Sequence, residues 1–341
     1  MFFKTNKWIY LFILIQIFSL PYAESLACTR ILVNDKDNAV MVGRNMDWAE
    51  DTKTNLMVYP RNMARSGISP DGDSKGNWIS WVSKYGSIVA TGYENLTSDG
   101  FNEAGLAAHI FWYEDADYGT RDQSKAGLSL TVWTQYYLDN FKSVAEAVRF
   151  TETNPFQIVP FFHPATNQWG KMHLILDDAS GDSAILEHDN GKLRIYHGRE
   201  YLVATNEPSF DKHLKNLKRY KVFGGTLPLP GKTRSQDRFV RATYFAKQLP
   251  QANSIQEEMA SVLGILNNTA HPFTPNYRTY WHTVSDLTNK VYYFQSVELQ
   301  NVIKVSLDKF DLGATPVLKL DLINHPEYVG DMSDKFEPVI E

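Results

Sequence analysis

The sequence predicts an α+β protein, a four-layer α-β-β-α sandwich, and three observations carry that expectation. Strand-like and helix-like stretches come in blocks (strands, two helices, strands, two helices, strands) rather than in strict alternation, which favours antiparallel sheets with helices segregated on their outer faces. Apolar residues make up 43% of the 341 positions and charged residues 21%, the profile of a packed chain rather than a disordered or fibrous one. No repeat or linker interrupts the chain beyond residue 27, so 28–341 reads as one domain.

The elements follow in order. Residues 1–27 have the pattern of a secretory signal: Lys4 and Lys7, then an apolar run over 8–20, then Ser25 and Ala27 at the −3 and −1 positions of a cut before Cys28. The run is too short for an ordinary membrane span. The expected product is exported, periplasmic or secreted, with no membrane contact after processing. Strands are predicted over 30–34 and 39–48, folded as a hairpin, then over 87–91 and 105–113. Helices follow over 128–140 and 143–151, the second opened by the capping box Ser143-x-x-Glu146. A meander comes next, with strands at 172–177, 184–188, 193–197 and 201–204, and Asn190-Gly191 marks one of its hairpins. Helices over 235–249 and 254–267 show apolar faces at helical spacing, the latter with the box Ser254-x-x-Glu257. Strands at 280–285, 290–296, 302–307 and 317–322 close the chain.

Composition narrows the chemistry. A formal charge of −5 without a basic run argues against nucleic acid as a partner, and a single cysteine excludes a disulfide framework or a cysteine-built zinc site. The nine histidines are scattered, and His163, His188 and His282 read as structural or solvent-facing rather than as metal ligands. No metal and no cofactor is expected: His-Glu-x-x-His, Walker and dinucleotide motifs are missing.

Cys28 stands out by position. A cut directly before it would place a thiol and a free α-amine on one residue. An α-amine titrates near 7.7–8.0, so it can act as the base that activates the neighbouring nucleophile. The competing reading is a lipid-anchored binding protein, in which the same thiol carries lipid; Ser25 matches that signal poorly. Downstream, Gly43-Arg44-Asn45-Met46-Asp47-Trp48 lies on the returning strand of the first hairpin. Arg44 beside the sulfur would favour the thiolate, and Asp47 could orient the amine. Taken alone, an Arg and an Asp at that spacing usually mark a solvated strand edge.

The motifs together resemble the choloylglycine hydrolase family of N-terminal-nucleophile hydrolases. The resemblance rests on Cys28-Thr29, on Arg44 and Asp47 at 16 and 19 residues beyond the cysteine, and on Asn102-Glu-x-Gly-Leu. It also rests on Thr205-Asn206-Glu207-Pro208, on Leu229-Pro-Gly followed by Ser235-x-x-Arg238-Phe239, and on a late segment from Trp281 to Lys290. It implies the N-terminal-nucleophile fold and hydrolysis of linear amide C–N bonds in a small N-acyl amide substrate. Cys28 would be the nucleophile, and Arg44, Asp47 and Arg238 would shape its surroundings. Asn206 would supply the side-chain oxyanion donor and the Trp112 backbone N–H the main-chain one. Trp48 and Trp112 would wall an apolar acyl pocket, the other tryptophans being read as core. Export, the two tryptophans and the short interval of 31 residues between Asn206 and Arg238 point to penicillin V and acyl-homoserine-lactone acylases. Conjugated bile salts are the alternative substrate class. A homotetramer is the assembly the resemblance implies, although an assembly insert is shortened or missing.

Overall fold

A computed structural model describes residues 28–34, 38–69, 76–94, 96–163, 167–274, 277–313 and 316–339. The predicted export segment 1–27 and part of the first hairpin turn lie outside the described residues.

Two sheets form the middle layers. One runs, in spatial order, Val203–Thr205, Thr29–Asn34, Val40–Trp48, Arg278–Asp286, Val291–Ser296, Val302–Ser306 and Gly330–Asp331, antiparallel except for the last pair. The other is antiparallel throughout, in the order Lys192–His197, Ser183–Asp189, Met172–Asp178, Leu106–Trp112, Leu96–Asn102, Ser87–Gly92, Leu56–Tyr59, Leu318–Leu320 and Glu337–Pro338. Helices α1 (Trp133–Asn140) and α2 (Val144–Thr153) cover the outer face of the second sheet. Helix α3 (Phe210–Leu217) lies beside α4 (Ser235–Gln248), and α4 and α5 (Ile255–Thr269) cover the first sheet. The four-layer α-β-β-α order is therefore present.

Alternation along the strand Val40–Trp48 distributes its side chains between two environments. Arg44 reaches Asp99 on the facing sheet, while Asn45 and Asp47 meet residues of α4 and α5. Gly43, on the helix side, has no room for a side chain: a Cβ there would sit 2.5 Å from the Val262 side chain of α5. Its smallness lets the helix lie directly on the strand.

The predicted helix over 128–140 is corrected. Ala126–Ser129 is a strand, paired parallel with Phe156–Val159, and the helix begins only at Trp133 after a short 3-10 turn. The Ser129 hydroxyl accepts from the Thr131 N–H and starts that turn, which breaks the apolar run that had read as helical. The tryptophans also divide. Trp81, Trp133 and Trp281 are buried, whereas Trp169 is half-exposed on a short hairpin against Phe162. No helix among the described residues is long and apolar enough to cross a membrane.

Candidate active site

The hairpin brings the motif residues to one end of the sandwich. Thr29 pairs with Asn45, so Cys28 stands beside Met46 at the strand ends, and its thiol faces the main-chain carbonyl of Asp47 at 3.7 Å. Arg44, Met46 and Trp48 share a strand face, and with Cys28 they line a pocket. Leu96, Trp112 and Met172 line it from the facing sheet. The Trp48 and Trp112 rings meet at 5.6 Å, and the Trp48 indole N–H donates to the Tyr93 hydroxyl at 2.7 Å. The pocket wall is therefore rigid and apolar.

Arg44 is wedged between the strands Leu96–Asn102 and Leu106–Trp112. Its guanidinium donates to the Ser98 carbonyl and, at 2.9 Å, to the Ile110 carbonyl, and it lies against the Phe111 and Trp281 rings at 4.7 and 5.3 Å. The ladder between those two strands runs only over Asp99–Phe101 and Ala107–His109, so the guanidinium fills the place where it parts. Beyond the wedge, Tyr113 donates its N–H to Lys171. Alternation of hydrogen-bond direction then turns the Trp112 N–H and C=O away from that neighbour, toward the parted edge. The Trp112 carbonyl accepts from Asn206 Nδ2 there at 2.6 Å. One sheet thus contributes Trp112 and the other Asn206 to the same rim.

On the opposite strand face, the buried Asp47 carboxylate accepts from Arg238 of α4 and from the Thr279 hydroxyl. Arg238 also donates to the Thr269 carbonyl at 3.1 Å and to the Cys28 carbonyl at 3.4 Å. Its guanidinium ties the start of the first strand to Asp47 and to the end of α5. The carboxylate expected to orient the Cys28 amine is therefore itself held by two partners across the sheet from the sulfur.

Burial raises the Cys28 thiol pKa; Arg44 and Arg238 oppose the shift, and Asp47 adds to it. Arg44 favours the thiolate, as expected, but desolvation is larger. A neutral thiol needs a base at the moment of attack.

Behind Arg44 lies a set of residues that motif reading missed. Arg44, Asp99, His109, Asp177 and Arg30 form a row of ion pairs at 3.5, 2.5, 3.4 and 3.3 Å, each side chain no more than 1% exposed. Thr283 and Tyr292 donate to the second Asp99 oxygen. Burial would raise the Asp99 carboxyl, but His109, Arg44 and Tyr292 hold it at about 2. Burial alone would depress the His109 pKa, but Asp99 and Asp177 outweigh it and keep the imidazole protonated above the usual range. The available signal was a charged residue inside each of two otherwise buried strands, at Asp99 and His109. The sequence also contains Gly72-x-Ser74-x-Gly76, the spacing of a serine nucleophile elbow, which motif reading overlooked; 70–75 lie outside the described residues. Among the described residues, no group of three or more His, Cys, Asp or Glu could hold a metal ion.

Residues 28–328 match the family model of linear amide C–N hydrolases, choloylglycine hydrolase family. The chain belongs to that family. It is thus a linear amide C–N hydrolase by family, and its sandwich is the N-terminal-nucleophile hydrolase fold. A penicillin V acylase of Pectobacterium atrosepticum is 35% identical, with 94% of this chain and 92% of the relative aligned. The solved penicillin V acylase of Agrobacterium tumefaciens superposes with a TM-score of 0.81 at 42% identity, over 92% of this chain and 98% of that one. A bile salt hydrolase/transferase of Clostridium perfringens, a more distant member of the family, is 24% identical over 85% and 95% of the two chains.

Proposed function

We propose that this family member is an exported N-acyl amide hydrolase of the penicillin V acylase type, acting through Cys28 after cleavage of the Ala27–Cys28 bond. The observation that carries the reading is the convergence of Cys28, Arg44 and Trp112 on one apolar pocket, with Asn206 hydrogen-bonded to the Trp112 carbonyl. The freed α-amine takes the thiol proton as sulfur attacks the amide carbon. The Asn206 side-chain N–H and the Trp112 main-chain N–H stabilise the oxyanion, one donor from each sheet. The C–N bond breaks as the ammonium returns its proton to the departing amine. Water, activated by the same amine, then releases the acid from the thioester. Arg44 lends positive charge beside the sulfur as it ionises, while Asp47 and Arg238 hold the residue that carries it.

The apolar lining by Met46, Trp48, Leu96, Ile110, Trp112 and Met172 favours an apolar acyl group such as phenoxyacetyl or a medium-chain fatty acyl. Bile salt conjugates are the second reading, motivated by the distant relatives that bear that name.

The test is a screen of penicillin V, an acyl-homoserine-lactone series and glycocholate against processed protein and its Cys28→Ser variant. Hydrolysis of penicillin V that disappears in the variant supports the reading. Preferential glycocholate turnover would reverse the substrate assignment, and no turnover of any amide would end the acylase proposal. Intact mass and light scattering of the same material test export, lipidation and assembly together: a chain starting at an unmodified Cys28, as a tetramer, is expected. A diacylated Cys28 would instead support a lipid-anchored binding protein.

A further inference from the structure

Asn206 stands one residue past the ladder that fixes its strand. The pairing of Val203–Thr205 with the first strand ends at Thr205 and Thr29. Asn206 is nevertheless buried, and its Nδ2 reaches the Trp112 carbonyl of the facing sheet. Its own main-chain carbonyl is met from behind by the His213 ring of α3, whose Nε2 lies 3.0 Å away.

The direction of that bond follows from the partners. A carbonyl oxygen can only accept. The other group beside Nε2 is the Thr205 hydroxyl at 3.3 Å, which donates its one proton to the Ser235 carbonyl and so accepts from the ring as well. Burial depresses the His213 pKa to about 4, with the Asn206 bond opposing the shift, so the ring is neutral and carries a single proton. That proton belongs on Nε2. The buried Nδ1 has no hydrogen-bond partner among the described residues.

The ring is also fixed in place. It stacks on Phe239 of α4, the neighbour of Arg238, at 4.5 Å and 21°. The start of α3 is pinned to the facing sheet, where both Glu187 carboxylate oxygens accept from the Phe210 N–H at 3.1 and 3.2 Å. Ser209 makes no side-chain cap there, so the carboxylate does that work. The Asn206 carbonyl is therefore tied to a helix that is itself held by α4 and by the second sheet.

We propose that His213 is a positioning residue for the oxyanion donor: by holding the Asn206 carbonyl from behind, it sets the reach of Asn206 Nδ2 at the pocket rim. The proposal rests on the acylase reading above and deepens it. His213 touches neither the sulfur nor the acyl group, so its whole effect passes through Asn206.

The experiment uses two variants of the processed protein. His213→Phe keeps a ring on Phe239 and removes the donor, whereas His213→Gln keeps a donor. With penicillin V, His213→Phe is expected to lower kcat about tenfold with little change in KM, and His213→Gln to recover most of the loss. Alkylation of Cys28 by iodoacetamide, which forms no oxyanion, is expected to keep its rate in both. In an Asn206→Ala background, already slower by about 10²–10³, His213→Phe is expected to cost less than about twofold more. An unchanged kcat in His213→Phe, a full tenfold loss in the Asn206→Ala background, or a parallel loss of alkylation overturns the proposal and leaves the acylase reading intact. His213→Met serves the same comparisons if the phenylalanine variant does not fold. If wild-type protein cleaves no amide, the acylase reading falls and this proposal falls with it.

Discussion

Removing the Arg238 charge tests the tie between the first strand, Asp47 and α5. In the variant Arg238→Met the side-chain volume is roughly kept, but the buried Asp47 carboxylate loses its cation and retains only the Thr279 hydroxyl. The Cys28 and Thr269 carbonyls lose a donor as well. Orphaning one member of a buried ion pair costs about 3–5 kcal/mol. With an unfolding entropy of about 2.1 cal/mol/K per residue, this lowers the melting temperature of a domain this size by about 5–8 °C. Calorimetry of processed protein gives that shift. Urea titrations of Arg238→Met, Asp47→Asn and the double variant give the coupling. The double variant is expected to be more stable than additivity allows, by about 1–3 kcal/mol, because it buries no unpaired charge. Strict additivity within about 0.5 kcal/mol would refute the pairing, and a Cys28 reactivity unchanged in Arg238→Met would refute its link to the nucleophile.

Other outcomes follow from the same geometry. Asn206→Ala should lower kcat by about 10²–10³ with a smaller change in KM, as expected for a donor used in the transition state; single-turnover kinetics on penicillin V report this directly. Alkylation of Cys28 in the full-length chain should rise with pH only above the ordinary thiol range, and Arg44→Gln should push that profile higher still, because the variant removes the charge that opposes desolvation. The Asp99–His109 pair contributes stability fully only between the ordinary pKa values of its members: the Asp99 part is lost as pH falls from about 4 toward 2, and the His109 part as pH rises above about 6.5. Asp99→Asn should therefore flatten the pH dependence of urea midpoints at both ends, and an unaltered curve would contradict the pairing. Trp48→Ala should raise KM for phenoxyacetyl substrates and weaken selection by acyl length, which a homologous acyl series would show.

Local signals with a single physical meaning were legible in the sequence. Both serine caps formed, with Ser143 accepting from the Glu146 N–H and Ser254 from the Glu257 N–H, while the glutamates accept from the preceding Lys142 and Asn253 N–H groups rather than from the serines. Asn190-Gly191 turns with both residues at positive φ, as a two-residue hairpin requires. The strands Leu56–Tyr59 and Leu96–Asn102 escaped, the second because Thr, Ser, Asp, Gly and Asn in one stretch read as a turn; helix α1 and the facing sheet supply partners for its polar side chains. At the site, spacing from the cysteine located Arg44 and Asp47, and strand alternation over three positions sets them on opposite faces, but neither could show what each meets there. Nor could it show that Asp47 answers to Arg238, 191 positions away.

The ionic row from Arg44 to Arg30 has a bearing on how this enzyme keeps its aim. Cations and anions alternate along it, drawn from both sheets. Greasy surfaces can slip past one another at little cost, but a slip here would pull buried charges off their partners, which is strongly unfavourable. The sandwich is keyed rather than merely glued, because the row ties the strand that follows Cys28 to the strand that ends at Trp112.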